Sequence, residues 1–323
     1  MADAARERWR EVAGRVGRLP PGPRNAITDV PGVLVGHAQA QSGERTGVSV
    51  VAPPGLPAPA GVAVTNGLGE LTGKLEIDET GMLETPVYLC GTHALGSVLQ
   101  GAVAASGRGP REVVIPVVGE CDDGEMADSR TVAAADVEVA LAALGEAVAE
   151  GTVGAGTGMS CFDFPGGIGT ASRAVGTHHV GVLLLCNFGD REDLDVLGAR
   201  LEPPARRAAS DGSCIAVCAT DAPLPAGALR RLALRALLGL ARAGSYAADG
   251  SGEIGVAFST SSPAATPPEG GLSPYFLAAW EAAHEAVLNC LVGARPARRL
   301  DGTMQDAFPV EHVRELARAR GDR

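Results

Sequence analysis

The chain has 323 residues, 46% hydrophobic and 20% charged, enough to bury a substantial core. Its formal net charge of −11 excludes nucleic acid and anionic membranes as partners, because both require a basic surface. Seven cysteines, an odd number with no CxxC pair, read as buried reduced thiols of a cytoplasmic protein. No apolar run reaches the ~18 residues of a membrane span, and the charged stretch Met1 to Arg18 is not a secretory signal but a short amphipathic helix.

In chain order, Pro20-Pro21-Gly22-Pro23 is followed by β-branched runs bounded by Pro and Gly: Val33 to His37, Gly47 to Val51 and Gly61 to Thr65. A helix is expected from Thr92 to Ala105 and a strand over Val113 to Val118. An acidic loop then runs from Glu120 to Asp128, and a long helix from Thr131 to Glu150. Buried strands follow at Val180 to Asn187 and Cys214 to Thr220. The next helix runs to Ala243, with Leu229, Leu232, Leu237 and Leu240 inward and Arg230, Arg231, Arg235 and Arg242 on a solvated face. A strand opens near Ser251, a helix covers Pro274 to Val292, and a short one covers Val310 to Arg320. The stretches Asp190–Ser213 and Ser261–Ser273 read as surface loops. Apolar strands alternating with apolar-sided helices imply sheets covered on their faces, hence a layered α/β architecture in one domain spanning 1–323.

Asp249-Gly250-Ser251-Gly252-Glu253 is the stretch with the most chemistry. It reads either as an ordinary turn entering a strand or as a self-cleavage point, where flanking glycines permit positive φ and strain. If the Gly250–Ser251 bond breaks, Ser251 carries a hydroxyl and a free α-amine. That amine, with a reference pKa of about 7.7–8.0, can serve as base to its own nucleophile. Three other candidates are weaker. Gly154-Ala155-Gly156-Thr157-Gly158 lacks a P-loop lysine, the acids around Asp122 lack calcium-loop spacing, and His178-His179 has no acidic partner at metal spacing. Neither cofactor nor metal is expected.

The blocks Gly22-Pro23-Arg24-Asn25-Ala26-Ile27-Thr28-Asp29-Val30-Pro31-Gly32-Val33, Arg45-Thr46-Gly47-Val48, Leu83-Glu84-Thr85-Pro86 and Val117-Val118-Gly119-Glu120 form one series. Gly156-Thr157-Gly158-Met159, Gly166-Gly167-Ile168-Gly169-Thr170-Ala171-Ser172-Arg173, Thr220-Asp221-Ala222-Pro223-Leu224 and Gly250-Ser251-Gly252-Glu253 continue it. Together they resemble the DmpA/BapA family of self-processing aminopeptidases. The resemblance implies a four-layer αββα sandwich related to N-terminal-nucleophile hydrolases. It also implies cleavage into 1–250 and 251–323, a homo-oligomer (a tetramer), and metal-free release of N-terminal residues from small peptides, amides or esters. Carried over residue by residue, it makes Ser251 the nucleophile and Gly250 the new C-terminus. Asn187 becomes an oxyanion-hole amide, Glu285 a support for the nucleophile's amine, Glu120 the acceptor of the substrate's ammonium, and Asn66 an active-site loop residue. Two positions depart from the family pattern. Asp122, counted with Glu120 and Asn66 among the substrate-binding residues, stands where a tyrosine hydroxyl is usual and while ionised would repel the developing oxyanion. Ala283 stands where a hydroxyl residue precedes the glutamate. They leave open a catalytically weak relative acting as a small-molecule binder or structural oligomer.

Overall fold

Proline and glycine cut the chain into short strands and helices whose apolar faces must find covers. The computed structural model describes residues 7–202, 212–263 and 270–321. In chain order these hold α1 (Trp9–Ala13), β1 (Leu34–Gln39), β2 (Gly47–Ala52), β3 (Ala58–Gly67), α2 (Lys74–Thr80), β4 (Met82–Leu83) and β5 (Val87–Gly91). Then come α3 (Leu95–Ala105), β6 (Val117–Cys121), α4 (Ala134–Ala142), β7 (Ser160–Cys161), β8 (Phe164–Pro165), β9 (Ile168–Val175), β10 (His178–Asn187) and β11 (Ser213–Thr220). The last are α5 (Ala226–Ala243), β12 (Gly252–Ser259), α6 (Ser273–Gly293), β13 (Ala297–Arg298), β14 (Met304–Gln305) and α7 (Val310–Gly321).

Two sheets face each other, one ordered β1-β2-β5-β6 and the other β4-β3-β12-β11-β10-β9. Between them lies an apolar layer that includes Val35, Leu89, Val117, Leu185, Ile215, Val217, Ile254 and Phe258. On the outer face of the larger sheet, α5 and α6 close a second core with Leu184, Ala216, Leu232, Leu240, Val287 and Leu291. On the outer face of the smaller one, α3 and α4 close a third with Val50, Val98, Val118 and Val137. The result is the four-layer αββα sandwich expected.

Missing side chains let α6 come close. A Cβ at Gly169 of β9 would stand 1.9 Å from the Ala286 carbonyl oxygen, and one at Gly239 of α5 would stand 2.6 Å from that of Trp280. The arginines of α5 do more than face solvent. Arg231 and Arg235 lie over the Phe276 ring at 4.9 and 4.3 Å, and Arg242 over Trp280 at 4.4 Å.

Several boundaries differ from those the pattern predicts. The helix expected to reach Glu150 stops at Ala142, because Gly145 exchanges two 3.0 Å backbone hydrogen bonds with Val35 of β1. The strand expected at Val113 starts at Val117 instead. Pro116 has no N–H to give a ladder, and Val113 and Ile115 are exposed. That shift moves Glu120 from the acidic loop into β6. Residues 1–6, 203–211 and 264–269 lie outside the described residues, and with them parts of the expected N-terminal helix and of both surface loops.

Candidate active site at the start of the central strand

Ser251 immediately precedes β12, which lies between β3 and the parallel β11 in the middle of the larger sheet. The chain reaches it from α5 through a tight turn in which the Ser251 N–H donates to the Ala248 carbonyl (2.9 Å). Asn66, near the end of β3, clamps that turn: its Nδ2 donates to the carbonyls of Ala248 (2.7 Å) and Asp249 (3.4 Å). Neither Gly250 nor Gly252 has positive φ, contrary to the strain expected there. Gly252 is required for a different reason, since a Cβ on it would stand 2.3 Å from the Leu68 carbonyl oxygen.

The Ser251 side chain is buried (1% exposed), and its hydroxyl donates to Oε1 of Glu253, two residues further on in β12. Glu253 is itself 2% exposed. Burial raises its carboxyl above the ordinary range, partly offset by the hydrogen bond from Ser251. Its other oxygen, Oε2, is buried with no hydrogen-bond partner among the described residues. A nucleophile-type hydroxyl therefore sits against a basic carboxylate with one acceptor to spare. Glu253 appeared in the sequence only as part of a motif. The cue to its role was the i, i+2 spacing, which puts both side chains on one face of a strand.

Asn187 ends β10 in the same cross-strand row as Ser213 and Gly252. Partners in such a row share a face, so Asn187 points toward the smaller sheet. There its Nδ2 donates to the Asp122 carbonyl (2.8 Å), and its Oδ1 accepts from the Ser160 N–H (2.9 Å). It stands two strands away from β12, across β11, and makes no hydrogen bond to Ser251 itself. Glu120 occupies the facing sheet. It is buried, accepts from the Glu70 N–H (2.8 Å) and the Thr92 hydroxyl, and has no cationic partner among the described residues. Asp122 departs from what its chemistry suggested. Its carboxylate is exposed and caps the Gly124 N–H (2.9 Å), so only its backbone carbonyl reaches Asn187.

Glu285 is a correction. It is fully buried on α6, but its partners are Arg173 Nη2 (2.7 Å), Arg10 Nη2 (2.8 Å) and Asn25 Nδ2 (2.6 Å). Through the ladder, Arg173 faces Val180, Val180 faces Thr220, and Thr220 faces Ser259. Arg173 is thus level with the far end of β12, about 26 Å from Ser251 at ~3.3 Å per residue. Burial alone would raise the Glu285 carboxyl. The hydrogen bond from Arg10 and the charge of Arg173 outweigh it and hold the group below its usual value. The cationic partner that helix position predicts is present, but it is arginine and belongs to the scaffold. Ala283 likewise packs in the core, against Gly239.

A layered sandwich with a buried serine at the head of its central strand is the architecture of an N-terminal-nucleophile-type hydrolase. Comparison with known proteins bears on that class directly. Residues 25–305 match the model of peptidase family S58. The chain is 38% identical over 350 residues to β-peptidyl aminopeptidase BapA of Sphingosinicella microcystinivorans, covering 92% of this chain and 88% of that protein. Its structure is similar to that of a Burkholderia sp. β-aminopeptidase (TM-score 0.86, 38% identity, 98% and 100% of the two chains). It is also similar to L-aminopeptidase D-Ala-esterase/amidase from Ochrobactrum anthropi, described as a variant of the Ntn hydrolase fold (TM-score 0.83, 31% identity, 96% and 97% covered). The chain belongs to peptidase family S58, a family of serine-type enzymes, and has the Ntn-hydrolase fold.

Proposed function

We propose that the protein is a self-processing aminopeptidase whose nucleophile is Ser251, and the observation that carries this reading is the buried Ser251–Glu253 pair. In the first step Glu253 takes the hydroxyl proton and Oγ adds to the Gly250 carbonyl carbon. The Gly250–Ser251 C–N bond then breaks, with the proton passing to the leaving nitrogen. Water hydrolyses the resulting ester, giving a Gly250 carboxylate and a Ser251 with free amine and hydroxyl. In this reading the new amine donates to Oε2 of Glu253, which has no hydrogen-bond partner among the described residues, the role the resemblance had assigned to Glu285.

In turnover the Ser251 amine accepts the hydroxyl proton, Oγ attacks the substrate carbonyl, and the acyl-enzyme is hydrolysed. Asn187, released from the Asp122 carbonyl, supplies an amide donor to the oxyanion. Glu120 takes the substrate's free ammonium: a buried carboxylate with two neutral donors and, among the described residues, no counter-charge is satisfied by an incoming cation. The outward turn of the Asp122 side chain supports this, since it keeps that carboxylate from repelling the oxyanion. Substrates are short peptides, amides or esters with a free N-terminal amine, β-amino residues included, as the names of the relatives suggest. The same reading includes a homotetramer, and the seven buried free thiols support a reducing, cytoplasmic setting. Among the described residues no helix is long and apolar enough to cross a membrane.

Intact mass and N-terminal sequencing of the purified protein test the first half. Two fragments beginning at the native terminus and at Ser251 are expected, and an uncut chain that still hydrolyses substrate overturns it. A panel of α- and β-amino-acid p-nitroanilides tests the second half. Turnover by the wild type and none by Ser251→Ala is the expected result.

A further inference from the structure

Cysteines far apart in the sequence meet in one place. The sulfurs of Cys161 on β7, Cys186 on β10 and Cys290 on α6 all lie within 4.8 Å of one another, and all three residues are fully buried. Backbone contacts fix the group. Cys186 N–H donates to the Gly167 carbonyl (2.7 Å), Gly167 N–H donates to the Cys290 sulfur (3.0 Å), and a Cβ on Gly166 would stand 2.5 Å from that of Cys161. The edge-to-face pair Phe162 and Phe188, with centroids 5.4 Å apart, comes from the residues next to Cys161 and just beyond Asn187. Singly buried cysteines such as Cys218 need no explanation beyond packing. Three converging from separate elements do, because packing alone is served by alanine or valine.

The shape of the group identifies a ligand. Three sulfurs at ~2.3 Å from a central ion, in a plane, are about 4.0 Å apart, so closure needs movements of less than about 1 Å. Among the described residues no fourth His, Cys, Asp or Glu joins the cluster; Cys214, opposite Cys186 in the sheet, is outside it. Zinc takes four ligands in structural sites, whereas thiolates alone in low number suit a soft monovalent ion. We propose that Cys161, Cys186 and Cys290 form a three-sulfur binding site for copper(I). The ion enters with no change of oxidation state, and the thiol protons it displaces pass to solvent. Bound there, it sits one residue behind Asn187, whose Oδ1 is also held by the residue before Cys161.

The test is a titration of the reduced full-length protein with copper(I), in ascorbate and against bicinchoninate, followed by X-ray absorption of the copper that the protein retains. One copper per chain with three sulfur neighbours is expected. Cys290→Ser and Cys161→Ser should lose it, and Cys218→Ser should keep it. The site is overturned if the wild type yields all its copper to the competitor, if Cys290→Ser retains it equally, or if the retained metal shows no three-sulfur shell. Should a serine variant fail to fold, the wild-type absorption spectrum still decides. Neither measurement depends on the fate of the Gly250–Ser251 bond.

Discussion

Two buried carboxylates at opposite ends of the larger sheet show how surroundings assign work. Glu253 has a serine hydroxyl on one oxygen and, among the described residues, no hydrogen-bond partner on the other and no cation. Its pKa rises, and it remains a base. Glu285 has two guanidinium groups and an asparagine amide, its pKa falls, and it becomes a fixed anion that clamps α1, β9 and α6 together. The same carboxyl chemistry gives a reactive group at one end and a structural rivet at the other. A carboxylate in a core is therefore a catalytic candidate only after its counter-charges have been counted.

Substitutions can break this contrast, and the largest effect belongs to the serine. Ser251→Ala is expected to abolish both chain cleavage and hydrolysis, read as a single uncut mass and a flat progress curve. Glu253→Gln keeps the volume but removes the base. Processing should slow by about 10²–10⁴-fold, the usual contribution of a positioned proton acceptor, followed as fragment appearance over time. Loss of the Asn187 amide, in Asn187→Ala, should lower kcat of the processed enzyme by about 10²–10³-fold, while KM changes little.

At the other end the effect moves from rate to stability. Glu285→Gln removes the anion that Arg10 and Arg173 share, leaving Arg173 with Glu281 (3.3 Å), and should cost about 3–5 kcal/mol in chemical denaturation. The fraction that folds should still be processed at the Gly250–Ser251 bond. Slow processing there, with stability unchanged, would return Glu285 to the active site.

Acidity gives the mildest contrast. Because the Glu285 value is depressed on folding, its contribution is complete above the unfolded pKa of about 4.3 and disappears as pH falls through the lower folded value. Glu285→Gln should therefore flatten the acid limb of the stability profile. Glu253 moves the other way. It must be ionised to accept a proton, and its pKa is raised, so the processing rate should fall on acidification with an inflection above the ordinary carboxylate range.

The sandwich was legible in the sequence because its strands are apolar on both faces and its helices are amphipathic, and because family blocks recur in order. The unreadable parts were those decided by distant partners. Nothing local stops α4 at Ala142; the Val35 strand does, by pairing with Gly145. Glu285 carries the right residue type in the right block, yet whether it meets an amine or an arginine depends on which strand α6 crosses. Glu253 was within reach of a pattern argument, since residues two apart on a strand share a side. The convergence of Cys161, Cys186 and Cys290 was beyond one, with ~100 residues of chain between the last two.

The position of β12 has a thermodynamic consequence. It lies between β3 and β11, both on the earlier part of the chain, while Trp9 N–H donates to Asn289 on α6 (2.9 Å). A cut before Ser251 would leave two polypeptides interlocked through a shared sheet. Folding would then be a unimolecular event performed once, on the uncut precursor. A mature sample that has been denatured could recover only by second-order association of its halves, so heat inactivation should be one-way and refolding yield should depend on concentration.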